Sequence, residues 1–94
     1  MAQQFPHLFR PLKLRSKTLK NRIVFAPHET HFAQNRLPSD AHVYYHRERA
    51  KGGAGMIVIE GCSIHPTGGL THMNYSDDII PWYKKLASVA HEYD

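Results

Sequence analysis

Cysteine, long apolar runs and clustered basic residues are all scarce in this sequence of 94 residues. A single cysteine, Cys62, cannot form an internal disulfide and cannot supply the several thiolates of an iron–sulfur cluster. No apolar stretch approaches the roughly 20 residues that a membrane helix needs. The residues before Phe5 also lack the charged and apolar regions of a secretory leader. These absences predict a cytoplasmic protein without a membrane segment.

The charge pattern argues against a nucleic-acid-binding protein. The formal net charge is +4, but Lys and Arg are spread along the chain and many stand beside acids, as in residues 46–49. No basic run alternates with aromatic residues, which is the pattern that binding to nucleic acids favours. The hydrophobic fraction of 41% is sufficient for the core of one small domain.

Two segments, residues 21–27 and 55–61, each contain a continuous apolar run, at residues 23–26 and 56–59, and predict β-strands. Strands with apolar residues on both faces are typical of a parallel sheet that is covered on both sides. The first segment ends in polar residues, from Pro27 to His31, and the second ends in Glu60-Gly61. Because functional side chains collect at the carboxyl ends of parallel strands, these two ends are the candidate site.

The N-terminal part predicts a small β-hairpin over residues 8–20. Leu12, Leu14 and Leu19 are separated by polar residues, and residues 15–17 have the composition of a turn. We expect this hairpin to pack beneath the strands that follow.

A helix is predicted over residues 40–51. Ser39 or Asp40 would cap its start, because a short oxygen-bearing side chain satisfies free backbone N–H groups there. The two glycines at positions 52–53 would end it.

A second helix is predicted over residues 79–93, after a loop over residues 62–76. Acidic residues at positions 77–78 favour a helix start, and Pro81 suits the first turn, where its missing N–H is not needed.

The spacing of apolar and aromatic residues indicates which side of each helix faces the sheet. In the first helix the recurring residues are Ala41, Tyr44, Tyr45 and Glu48. In the second they are Trp82, Leu86, Val89, Ala90 and Tyr93. We therefore expect Tyr44 or Tyr45 to face the sheet.

The order hairpin, strand, helix, strand, helix predicts an α/β fold with parallel strands joined by right-handed crossovers. Two strands alone would leave both sheet edges open and two apolar helix faces incompletely covered. We therefore expect the chain to be part of a larger sheet or barrel.

Several blocks of sequence, in order, resemble the start of the old yellow enzyme (NADH:flavin oxidoreductase) family. They are residues 8–24, Ser39-Asp40, Tyr44-Tyr45, residues 49–61 and His65-Pro-Thr-Gly68. The branch with the greatest similarity contains 2,4-dienoyl-CoA reductase and trimethylamine dehydrogenase. The resemblance implies the first two βα units of a (β/α)8 TIM barrel, preceded by an N-terminal β-hairpin, with FMN at the carboxyl ends of the strands. Residues 1–94 would then be an incomplete N-terminal quarter of that barrel.

The resemblance also implies roles for individual residues. Ala26, Pro27 and His28 match positions that lie against the flavin, largely through backbone atoms. Glu29 stands where many members have Cys or Thr, and a glutamate cannot form the thioether found in trimethylamine dehydrogenase. Gly61 matches the small residue whose backbone approaches the reactive edge of the flavin, and His31 matches a substrate-side position.

The remaining parts of such an enzyme would lie outside this chain. The resemblance implies FMN shared with the rest of the barrel, with NAD(P)H and a [4Fe–4S] cluster bound by that remainder. A second chain or a continuation would supply it, so the chain would be the N-terminal portion or small subunit of an oxidoreductase acting on an enoyl or amine substrate. The alternative is a non-catalytic assembly or interaction subunit, or a truncated remnant.

Three further features bear on metal binding and on structural roles, and the first of them favours placement at the flavin or the substrate. The segment His28-Glu-Thr-His31 has its histidines three apart after a strand, unlike the helical HExxH zinc motif, so no metal site is predicted. His42 and His46 have i, i+4 spacing, but without a carboxylate or cysteine nearby we expect them to be exposed. Glu60 is expected to form structural hydrogen bonds, and Cys62 to be a small buried hydrophobe.

Overall fold

The computed structural model describes residues 4–69 and 71–93. In this part of the chain, three small two-stranded sheets accompany two helices of 12 residues each. The strands are β1 (Leu12–Leu14), β2 (Lys17–Leu19), β3 (Val24–Phe25), β4 (Met56–Ile57), β5 (Cys62–Ser63) and β6 (His72–Met73). The helices are α1 (Asp40–Lys51) and α2 (Ile80–His91), and a short 3-10 turn over Asp77–Ile79 leads into α2.

The predicted hairpin is present as the antiparallel pair β1–β2. Leu12 is opposite Leu19 and Leu14 is opposite Lys17. Arg15 occupies the turn with a φ of 54°, a left-handed conformation that a tight two-residue connection requires.

The central pair β3–β4 is parallel, as the βα order predicts, with Val24 opposite Met56 and Phe25 opposite Ile57. Both strands are much shorter than the predicted segments 21–27 and 55–61. The expectation that both faces of the first strand are covered is wrong for this structure, because the Val24 side chain is 50% exposed. Among the described residues, β3 pairs with no strand other than β4.

The start of this parallel pair depends on a close approach between two chain segments. Asn21 is buried, and its Oδ1 accepts a hydrogen bond from the Ile23 N–H at 3.0 Å while its Nδ2 donates to the Gly53 carbonyl at 2.7 Å. A Cβ on Gly55 would lie 2.4 Å from Asn21 Oδ1 and 2.6 Å from the Asn21 carbonyl oxygen. Only glycine therefore allows the second strand to begin here.

The helix α1 has the predicted bounds, but it turns a different side toward the rest of the fold. Its buried residues are His42, Val43, His46 and Ala50. The expectation that Ala41, Tyr44, Tyr45 and Glu48 mark the inner side is wrong except for Tyr45, which is half-buried and packs edge-to-face on Phe25 with ring centroids 5.8 Å apart. The Tyr44 side chain is 61% exposed. Gly53, with a φ of 108°, supplies the left-handed residue after the helix.

The two helices pack on each other around a small apolar core. Val43 of α1 meets Leu86 and Val89 of α2, and Ile59 and Trp82 pack against this cluster. Pro81 lies in the first turn of α2, as predicted. None of the helices in the described part of the chain is long and apolar enough to cross a membrane.

The segment over residues 62–76, predicted as a loop, contains the parallel pair β5–β6. Cys62 lies opposite His72 and Ser63 lies opposite Met73. The prediction missed these strands because they are only two residues long and lie among glycines and polar residues. Their pairing carries His72 back to the end of β4.

Candidate functional site

The two strand ends meet at one edge of the β3–β4 sheet. The residues after β3 that were predicted to contact the flavin, Ala26, Pro27, His28 and Glu29, are exposed, and so is Gly61 after β4. We call these five residues the exposed rim. The Gly61 N–H donates a hydrogen bond to Glu29 Oε1 at 2.8 Å, so the structure brings the ends of both strands into direct contact.

A cavity of about 250 Å³ lies beside the exposed rim. Its lining residues are Glu29, His31, Ala33, Glu60 and Thr71. His31 is exposed and has a φ of 60°, a left-handed conformation that a non-glycine residue seldom adopts. His28, also exposed, lies apart from this cavity, with its Nδ1 3.4 Å from the Tyr45 hydroxyl. The residues predicted for the site therefore fall into two groups. Glu29, His31 and Gly61 lie together at the cavity, whereas His28 lies apart, next to Tyr45.

Four side chains form a second group directly behind the exposed rim, which we call the buried cluster: the buried His42, Glu60 and His72, and the half-buried Thr30. Glu60 Oε2 accepts hydrogen bonds from the Thr30 N–H at 3.0 Å and from the Thr30 hydroxyl at 2.7 Å. Glu60 Oε1 lies 2.9 Å from His42 Nε2 and 3.3 Å from His72 Nε2. These four contacts account for all the lone-pair positions of a carboxylate.

The buried cluster has the residue types of a metal site, but its hydrogen bonds argue against one. His42 Nε2 and His72 Nε2 are 3.3 Å apart, and both approach Glu60. The Ser39 N–H, however, donates to His42 Nδ1 at 3.0 Å, so this nitrogen carries no proton. A neutral His42 then carries its proton on Nε2, where it donates to Glu60 and offers no lone pair to a metal. The cluster is therefore a hydrogen-bonded structural network.

Burial shifts the ionisation of this region. Burial alone would raise the pKa of Glu60, but hydrogen bonds from His42 and Thr30 outweigh it and hold that pKa below its ordinary value. The pKa values of His72 and His46 are lowered, first by burial and then by the neighbouring His42. These shifts favour, at neutral pH, a charged Glu60 carboxylate and neutral imidazoles at His72 and His46.

The prediction that His42 and His46 are exposed is wrong. His42 is 0% and His46 4% exposed, and the carboxylate absent from the local sequence comes from Glu60, at the end of the next strand. His46 packs edge-to-face on Phe25, with ring centroids 6.4 Å apart. The expected structural hydrogen bonds of Glu60 are confirmed. The part played by His72 was missed, since a histidine in a polar segment carries no signal of burial.

Cys62 is half-buried, which is less than predicted for a small buried hydrophobe. Its Sγ lies 3.1 Å from the Tyr83 hydroxyl, which also donates to Asn74 Oδ1. Burial, together with Cys62, raises the pKa of Tyr83. Tyr83 is therefore a neutral hydrogen-bonding group on α2.

Comparisons with known proteins agree with the resemblance seen in the sequence. An N,N-dimethylglycine/sarcosine dehydrogenase of Chromohalobacter salexigens is 33% identical over 95 aligned positions, which cover 95% of this chain and 14% of that protein. An NADPH dehydrogenase of Listeria monocytogenes is 32% identical over 89 residues, covering 89% of this chain and 26% of that protein. The structure of the old yellow enzyme from Trypanosoma cruzi matches with a TM-score of 0.82 and 36% identity, over 96% of this chain and 25% of that one.

The chain thus spans about a quarter or less of the length of these relatives. Residues 7–94 match the family described as NADH:flavin oxidoreductase / NADH oxidase. The exposed strand ends lie inside this matched region. The chain therefore belongs to the NADH:flavin oxidoreductase / NADH oxidase family.

Proposed function

We propose that this chain supplies the first two βα units of the (β/α)8 barrel of an FMN-dependent oxidoreductase. In this proposal β3 and β4 belong to the first two barrel strands, and the β1–β2 hairpin closes the bottom of the barrel. The parallel pairing of β3 with β4 and the packing of α1 on α2 support it. The structural match to the Trypanosoma cruzi old yellow enzyme, of which the chain covers 25%, also supports the proposal.

The single observation that carries the proposal is the contact between the two strand ends. The exposed rim presents Gly61 and Glu29 together, with the Gly61 N–H and Glu29 Oε1 2.8 Å apart. A Cβ on Gly61 would lie 2.7 Å from that oxygen, so a side chain here would displace the exposed Glu29 carboxylate and cover part of the rim. A surface that stays open because a glycine has no side chain fits a flat ring, and the rim would form one wall of the FMN site.

FMN, when bound, supplies hydride transfer between two substrates, and the protein positions it and sets its electrostatic surroundings. Ala26, Pro27 and His28 would lie against it through the backbone that follows β3. Glu29 would place a carboxylate where, by the family resemblance, many members have Cys or Thr, so the flavin would be held without a covalent bond to this residue. His31, on the wall of the adjacent cavity, would face the substrate.

The substrates we propose are an enoyl compound or an amine at one half-reaction and NAD(P)H at the other. The names of the relatives support this choice: one is a dehydrogenase of N,N-dimethylglycine and sarcosine, and another is an NADPH dehydrogenase. Any [4Fe–4S] cluster would be bound by the remainder of the enzyme.

The proposed partner is the remainder of the barrel, in a second chain or a continuation of this one. Two open grooves are lined in part by apolar residues of β4 and α2, and in this proposal the next strand and helix would cover them. One, of about 270 Å³, includes Ile57, Ile59 and Leu86, and the other, of about 450 Å³, includes Met56 and Ala90. Covering these apolar walls would remove them from water, which favours association.

The test is to co-express the chain with the remaining barrel strands of a family member and to record the flavin absorbance bands and the mass of the complex. A yellow complex is expected. Gly61→Leu should lose the flavin and keep the complex, whereas Gly69→Leu, at an exposed glycine with no atom within 4 Å of its added Cβ, should keep both. A complex that stays colourless with every tested remainder would overturn the proposal.

A colourless but stable complex would instead support the second candidate, a non-catalytic assembly or interaction subunit, or a truncated remnant. The apolar surface on the sheet favours this candidate to some extent, since Val24 is 50% and Met56 40% exposed. Such surface explains association but requires no flavin.

A further inference from the structure

His31 is held in a conformation that it would not adopt unaided. Its φ of 60° is in the left-handed region, which carries a free-energy cost for a residue with a side chain. Such a conformation persists only where the surrounding contacts determine it. The neighbours of His31 in the chain, Thr30 and Phe32, are both fixed by hydrogen bonds.

Thr30 is the centre of these contacts. Its N–H and hydroxyl both donate to Glu60 Oε2, at 3.0 and 2.7 Å. The same hydroxyl oxygen accepts the Phe32 N–H at 3.2 Å. The Phe32 carbonyl accepts a further hydrogen bond from the Ser39 hydroxyl at 2.8 Å. The backbone is therefore fixed on both sides of His31.

Glu60 is itself held from two other elements. His42 on α1 and His72 on β6 approach its Oε1, and its side chain is only 3% exposed. The carboxylate thus connects the end of β4 to the end of β3, to a helix and to the β5–β6 pair. A side chain with this many partners has little freedom to move.

We propose that Glu60 is a positioning residue which, through Thr30, determines where Glu29 and His31 stand at the cavity wall. This inference rests on the proposed function, because it gives Glu29 and His31 their part at the flavin and the substrate. Glu60 itself is not a proton-transfer group, since its four lone-pair positions are occupied by Thr30, His42 and His72.

The decisive variants are Thr30→Val, which has the same shape without the hydroxyl, and Thr30→Ser, which keeps the hydroxyl. Amide hydrogen exchange is measured on the flavin-loaded complex and on the full chain, with the α2 amides as an internal reference. Thr30→Val should speed exchange at Phe32 and Gly61 by about tenfold while α2 is unchanged, and Thr30→Ser should restore protection.

Steady-state kinetics with 2-cyclohexen-1-one and N,N-dimethylglycine as probe substrates provide the functional measurement. In Thr30→Val we expect the KM of the accepted probe to rise about tenfold, with a smaller change in kcat and no loss of flavin. Thr30→Ser should be close to the wild type. If Thr30 only stabilised the fold, Thr30→Val would lower the unfolding midpoint without raising KM more than it changes kcat.

Two results would overturn the inference: unchanged exchange at Phe32 and Gly61 in Thr30→Val, or faster exchange that extends equally over α2. Glu60→Gln, which keeps the side-chain volume, repeats the test if Thr30→Val folds poorly. It should also release Phe32, because an amide accepts only at its one oxygen, so its NH2 group must face either the Thr30 donors or the His42 and His72 nitrogens and the network is broken. A wild-type complex without flavin would count against the proposed function alone, since exchange in the full chain still decides the role of Glu60.

Discussion

Two carboxylates line the same cavity but have opposite surroundings. Glu29, in the exposed rim, is exposed, and its Oε1 accepts a hydrogen bond from the Gly61 N–H. Glu60, in the buried cluster, has a side chain that is 3% exposed and four close contacts with donors from Thr30, His42 and His72. Two carboxylates with different roles therefore lie side by side at these strand ends: Glu29 is available to a ligand, and Glu60 supports the fold.

The division falls between residues that are neighbours in the chain. Glu60 is buried, whereas the next residue, Gly61, lies at the surface. Glu29 and Thr30 differ in the same way, with Glu29 exposed and Thr30 bound to Glu60. The contacts of the inner residues set the position of the outer ones.

Removing the central carboxylate of the buried cluster should have the largest effect. Glu60→Leu removes the shared acceptor of the buried His42 and His72 and of the half-buried Thr30, and we expect the free energy of unfolding to fall by about 3–5 kcal/mol. Urea denaturation measures this loss. The matched control, Glu48→Leu on the exposed side of α1, should change stability by less than about 0.5 kcal/mol. If both variants lost the same free energy of unfolding, the proposed difference between the buried cluster and the exposed surface would be wrong.

The second-largest effect on stability is expected when the pH is lowered, because of the buried histidines. The pKa values of His46 and His72 are lowered in the folded state, so the unfolded chain binds protons first as the pH falls below 6.5. Stability should therefore decrease from pH 6.5 downward, by up to about 1.4 kcal/mol per pH unit for each histidine. Glu60, whose pKa is also lowered, adds a further loss below pH 4.5.

Urea denaturation between pH 7.5 and 4 provides the measurement. In His72→Phe the slope between pH 6.5 and 5 should be smaller than in the wild type, because one fewer proton is taken up on unfolding. A stability that stays constant from pH 6.5 to 5 would rule out this account of the buried histidines.

The smallest effect on stability is expected for the exposed carboxylate. Glu29→Gln keeps an oxygen that accepts the Gly61 N–H, and the group is exposed, so unfolding should change by less than about 0.5 kcal/mol. Urea denaturation of Glu29→Gln and of Glu60→Gln compares the two carboxylates under the same chemical change. Glu60→Gln should lower the free energy of unfolding by more. A loss above about 1 kcal/mol for Glu29→Gln would show that the exposed rim also stabilises the fold.

Much of the fold could be predicted because turns and helix ends depend on residues that are close together in the sequence. The composition of residues 15–17 predicted the hairpin turn, and Ser39 with the glycines at 52–53 predicted the bounds of α1. The order of elements predicted the parallel pairing of β3 and β4. The two-residue strands β5 and β6 escaped prediction because such short pieces have no periodicity.

The candidate site was predicted only in part. The strand ends could be located, since Pro27 to His31 and Glu60-Gly61 follow apolar segments directly. The burial of His42, 18 positions from Glu60 in the chain, could not be predicted, because i, i+4 histidines on a polar helix have the pattern of a solvated surface.

The sequence by itself determined which residues stand at the two strand ends, and its motifs determined the family, because these properties depend on neighbours in the chain. Tertiary structure alone decided that Glu60 becomes the centre of a buried network while Glu29 remains exposed. The physical reason is that a carboxylate loses its water only where donors from distant segments, here Thr30, His42 and His72, replace it. That replacement depends on how β4, α1 and β6 meet in space.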